Sequence, residues 1–91
     1  MTTLAITSAR AELLRAIADC KVTEDWFTDE PGEIRHRDAG RDTRVTGRVR
    51  VMKAAGLCET DPADEDFHVR GIKLTSAGEK ALADYDAKAT R

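Results

Sequence analysis

A chain of 91 residues with a formal net charge of −2 has room for one domain around a single modest core. Apolar residues make up 41% and aromatics 4%, so that core is expected to be aliphatic, and the near-balanced charge argues against a polyanion binder that works by overall charge. No apolar run is long enough for a membrane span, and the first residues lack a basic-then-apolar signal pattern. Two cysteines, Cys20 and Cys58, are too few for a disulfide framework. The expectation is a cytoplasmic protein with no membrane partner and both thiols reduced and buried.

Charge is segregated along the chain. Residues 1–34 carry three basic and seven acidic groups, residues 35–58 seven basic and two acidic, and residues 59–66 five acidic and none basic. The +5 segment is where arginines concentrate, and it holds the sequence's most distinctive stretch, Arg41 to Leu57.

In chain order, Leu4 and Ile6 suit an edge strand or ordered tail. Thr7 and Ser8 offer N-caps for a helix over Ala9–Cys20 with Leu13, Leu14, Ile17 and Ala18 on its buried stripe. Lys21 to Arg37 fits a hairpin, with strands at Cys20–Thr28 and Glu33–Arg37 around a type II turn at Asp29-Glu30-Pro31-Gly32. The competing reading is a short helix capped by Thr23, with Val22 and Phe27 as its hydrophobic staple.

Asp38-Ala39-Gly40 reads as a turn and Asp42 as the N-cap of a helix over Thr43–Ala55 that Gly56 ends in a left-handed cap. Period 3.6 puts Val45, Val49 and Met52 on one face. Opposite lie Thr43, Arg44, Gly47, Arg50, Val51 and Ala54, flanked by Arg48 and Thr46. Such a face is basic and slim. Guanidinium forks grip phosphate or the O6/N7 edge of guanine, so this is a candidate recognition helix.

Strands follow at Leu57–Glu59 and Phe67–Leu74, the second with a phase change that suggests a bulge at Gly71. Ser76 with Glu79 fits a capping box for a last helix to Ala87, buried through Ala81, Leu82 and Tyr85, with Lys88 to Arg91 frayed. The single domain is therefore expected to be α+β: three helices, a two-stranded hairpin after the basic helix, and a second short hairpin between helix 1 and that helix.

Two stretches add a family resemblance. Val45 to Leu57, with Thr46, Met52 six residues later, then Gly56-Leu57, resembles the recognition-helix signature of winged helix-turn-helix proteins. Leu74-Thr75 with Gly78 resembles the opening of the helix that follows the wing in that group. The chain looks like the small single-domain winged-helix proteins of actinobacteria and their phages. That resemblance implies a helix in the major groove of double-stranded DNA, with contacts near Thr43, Arg44, Thr46, Gly47, Arg48 and Arg50, and a wing at Leu57–Leu74.

On the residues themselves, Arg44 and Arg50 are the candidates for base edges, with Arg35, Arg37, Arg41, Arg48 and Lys53 on phosphate. The expected function is sequence-specific DNA binding by a small transcriptional regulator or phage-type control protein, as a monomer or a homodimer. The alternative is a protein-interaction module on the same scaffold, using the acidic loop Glu59–Asp66 and the basic helix toward a protein partner. Cys20, His36, Cys58 and His68 lack the close pairs of a structural zinc site, and the acidic loop lacks the glycine and closing glutamate of a calcium loop. With no phosphate loop and no nucleophile–base pair, neither catalysis nor a cofactor is expected.

Overall fold

The computed structural model describes residues 4–25, 32–61 and 69–89. Within them lie α1 (Ser8–Ala18), β1 (Val22–Asp25), β2 (Glu33–Asp38), β3 (Arg41–Arg44), α2 (Thr46–Ala54), β4 (Cys58–Thr60), β5 (Val69–Leu74) and α3 (Ser76–Ala89). The five strands form one antiparallel sheet in the order β3-β2-β1-β5-β4. The chain is thus α+β, with three helices among the described residues, and no helix among them is long and apolar enough to cross a membrane.

Helix α1 starts at Thr7, whose hydroxyl accepts from the Arg10 amide at 3.3 Å, and buries Ala11, Leu13, Leu14, Ala16 and Ile17. Ala18, expected inside, is exposed. The helix stops short of the predicted Cys20 because Asp19 is its C-cap and Cys20 takes a left-handed φ of 60°. The amides of Cys20 and Lys21 then return to the carbonyls of Ile17 and Ala16, which closes a Schellman cap and leaves Cys20 exposed rather than buried. The same device ends α2: Gly56 (φ 79°) and Leu57 donate to Lys53 and Met52, as the glycine at that position required.

The hairpin reading of the second segment holds for the described part, with β1 and β2 paired from Val22↔His36 to Asp25↔Glu33. Residues 29–31 of the turn expected at Asp29–Gly32, Trp26, Phe27, most of the acidic loop, Phe67, His68 and both chain ends fall outside the described residues. Pairing along β5 advances residue for residue, first on β1 and then on β4, so the bulge expected at Gly71 is not formed.

Alternation along paired strands puts Val22, Ile34, Cys58 and Ile72 on one face of the sheet, where the helices cover them. Leu14, Ile17, Val22, Ile34, Val45, Val49 and Met52 are the larger fully buried side chains, an aliphatic core as the composition demanded; each such burial is worth about 1.5–3 kcal/mol. Leu82, Ala81 and Tyr85 of α3 are only half-buried.

Helix α3 is seated on the exit of α2. Its cap is Thr75, one residue before the expected Ser76: the Thr75 hydroxyl accepts from the Gly78 amide at 3.1 Å and donates to the Gly56 carbonyl, and the Thr75 amide donates to Leu57 O at 3.1 Å. Gly78 lies against the Leu57 carbonyl so closely that a Cβ there would stand 1.9 Å from the oxygen. Gly56-Leu57 and Thr75-to-Gly78, distant in sequence, are the two halves of one joint.

Candidate nucleic-acid interface

The candidate site spans the β2–β3 hairpin and α2. Asp38 and Arg41 face each other across the two-residue turn Ala39-Gly40, both with positive φ (49° and 81°), the geometry that matches the twist of a tight hairpin. Residues 41–44 therefore form a strand, where the sequence reading began a helix. Asp42 is a rung of the sheet instead of a cap, and Thr43 and Arg44 stand on β3, exposed, opposite His36 and Arg35.

The strand becomes a helix through Thr46. Val45 completes one ladder bond by donating to Ile34 O at 2.8 Å. The Ile34 amide goes to the Thr46 hydroxyl at 2.9 Å, which leaves Val45 O to accept the first helical bond from Val49 at 2.9 Å. Thr46 is consequently buried, 8% exposed, and is removed from the expected DNA-contact face. Val45 caps α2 without a side-chain bond, and no acidic residue occupies the first turn, so the positive end of the helix dipole lies beside Arg48.

On the sheet face away from the helices, cross-strand charges form a chain. Arg35 bridges Glu33 (2.9 Å) and Asp42 (3.2 Å), Arg37 reaches the other Asp42 oxygen at 3.5 Å, and Arg44 reaches Glu33 at 3.5 Å. The Asp42 hydrogen bond and charge, with Glu33 behind them, raise the affinity of the Arg35 guanidinium for its proton above its ordinary value. Three of the expected phosphate or base contacts, Arg35, Arg37 and Arg44, are therefore partly neutralised within the hairpin.

Lys53 is also drawn inward. Its ammonium donates to Thr60 Oγ1 at 2.7 Å and lies 3.7 Å from the buried Glu24 carboxylate, which ties α2 to β1 and β4. What remains outward on α2 is Gly47, Arg48, Arg50, Val51 and Ala54. Among the described residues Arg41, Arg48 and Arg50 have no carboxylate partner. Val51, 48% exposed, joins Gly47 and Arg48 as one wall of a depression of about 340 Å3, with Thr7, Ala9, Arg10 and Leu13 opposite.

Sequence reasoning thus found the basic arm but missed β3 and the ion-pair chain that neutralises half of it. The signal was present: Arg35 and Arg37 alternate with the same period as Asp42 and Arg44 about a two-residue turn, which is a cross-strand charge pattern. Comparison with protein-family models, with curated proteins and with solved structures finds no match for this chain.

Proposed function

We propose that this chain binds double-stranded DNA in a sequence-reading manner, as a winged helix with α2 in the major groove, and acts as a small transcriptional regulator or phage-type control protein by occupying an operator. The observation that carries this reading is the trio Arg41, Arg48 and Arg50, without ion pairs among the described residues, on a +5 segment of a chain whose net charge is −2. The order α2, β4, β5 with β5 paired to β1 supports the wing, and the β2–β3 hairpin stands where that family has a short helix. Arg48 and Arg50 take the base edges. Arg41 is the phosphate contact, and Arg44, held by Glu33, gives up the base-reading role the sequence suggested.

The single phosphate contact, Arg41, implies a slope of log affinity against log salt of about −0.9, so affinity falls about 3.5-fold between roughly 50 and 200 mM salt. Polarisation titrations on mixed duplexes measure this. Arg41→Ala removes most of that slope, Arg48→Ala with Arg50→Ala costs about 1–3 kcal/mol per base contact and flattens the preference among duplexes, and Lys53→Ala leaves both near the parental values. No binding at the lower salt, or a preference among duplexes indifferent to Arg48 and Arg50, refutes the reading.

A protein-interaction role has one observation of its own, the exposed Val51 in the α1–α2 depression. A complex recovered at high salt after nuclease, and lost in Val51→Asp, would favour that role over DNA.

A further inference from the structure

We infer that β3 is a homodimer edge: two copies join antiparallel through Arg41–Arg44 about a two-fold axis at Thr43, extending the sheet across both chains. β3 is the terminal strand of the sheet, and all four of its residues are exposed. The ladder fixes which backbone groups face outward. Val45 donates to Ile34 O, and ladder bonds alternate in an antiparallel pair, so Thr43 and Arg41 turn their amides and carbonyls toward β2, while those of Asp42 and Arg44 point to the sheet edge.

Charge then selects the register. In a two-fold antiparallel pair one residue, or one gap, lies on the axis, and face matching requires a residue. With Arg41, Asp42 or Arg44 there, the axial residue meets its own like charge. With Thr43 there, Asp42 faces Arg44 of the second copy, and Arg44 faces the second copy's Asp42. These are also the residues whose backbone groups point outward, so each pair exchanges two main-chain hydrogen bonds, four in all. The side chains of Asp42 and Arg44 lie on the ion-paired face, at Arg35, Arg37 and Glu33, so the charge chain of one copy continues into the other. Edge strands usually carry one sign of charge or a proline to block such pairing; the order Arg-Asp-Thr-Arg does the reverse in this one register.

The inference stands apart from DNA binding and is tested without DNA. Sedimentation of the full chain from about 5 µM to 1 mM is expected to show monomer–dimer exchange within that range. Asp42→Arg alone sets arginine against arginine, and Arg44→Asp alone sets aspartate against aspartate, so each weakens the dimer at least about tenfold. Mixing the two variants restores both pairs and is expected to return a heterodimer of parental strength, an outcome that misfolded variants cannot give. In a Cys20→Ser background, Thr43→Cys places two thiols at a non-hydrogen-bonded pair about 4.5 Å apart at Cα, and mild oxidation links them. Arg41→Cys in the same background links far more slowly. A chain that stays monomeric throughout, a mixture no stronger than its components, or equal cross-linking at residues 41 and 43 overturns the proposal.

Discussion

Replacing Gly78 by alanine tests the α2–α3 joint directly. A Cβ at residue 78 would stand 1.9 Å from the Leu57 oxygen, 2.9 Å from its carbonyl carbon and 3.4 Å from its Cα, and all three are backbone atoms that no rotamer change can move. Helix α3 must therefore shift by more than an ångström, which strains the Thr75 amide bond to Leu57 O and the Thr75 hydroxyl bond to Gly56 O. Overpacking costs about 1–3 kcal/mol and each weakened hydrogen bond about 1 kcal/mol, set against a helix-propensity gain of about 1 kcal/mol for losing glycine. The net expectation is a loss of about 2–4 kcal/mol, read as a lowered urea midpoint by circular dichroism. The control is Gly47→Ala in α2, where nothing lies within 4 Å of the added carbon. There propensity acts alone, and the chain gains up to about 0.5–1 kcal/mol. If Gly78→Ala matched Gly47→Ala in sign, the close approach of α3 to Leu57 would be refuted.

Three further predictions follow from the site and its supports. Thr46→Val leaves the buried Ile34 amide without its acceptor and costs about 1–3 kcal/mol in urea unfolding, while Thr46→Ser keeps most of that stability and Thr43→Val stays within about 0.5 kcal/mol; equal effects at 43 and 46 would contradict the inward Thr46. Ala39→Asn relieves an alanine held at φ 49° and raises stability by about 0.5–1 kcal/mol, whereas a loss would argue against the tight Ala39-Gly40 turn. Burial raises the Cys58 thiol pKa, with Lys53 pulling weakly the other way, so the neutral thiol is favoured in the folded state. Its contribution is complete below the unfolded thiol value of about 8.5 and is lost as pH rises through the higher folded value. The stability gap between the parental chain and Cys58→Ala therefore narrows from about pH 7 to pH 10, and a constant gap would count against this burial.

Much of the local architecture was legible in the residues. The Thr7 cap, the Leu13, Leu14 and Ile17 stripe, the Gly56 exit and the strands flanking residues 26–31 follow from periodicity and cap chemistry that act over one or two turns. The start of α2 was misread because Asp42 has the chemistry of an N-cap, and a four-residue strand with every side chain exposed leaves no hydrophobic alternation to find. The candidate contacts divided for the same reason. Gly47, Arg48 and Arg50 needed only the helical period, whereas Thr46 and Lys53 were decided by partners 12 and 7 residues away.

The sequence by itself determined that there is an aliphatic core, where α1 begins and where α2 ends, and that net positive charge is concentrated in residues 35–58 of a chain whose net charge is −2. Those properties come from composition and short-range geometry. The tertiary structure alone decided that β5 lies between β1 and β4, that Gly78 rests on Leu57, and that Arg35, Arg37 and Arg44 answer to Glu33 and Asp42 while Arg41, Arg48 and Arg50 do not. Which charges are neutralised depends on which strands become neighbours, and antiparallel pairing brings together residues whose separation in the chain carries no periodic signal.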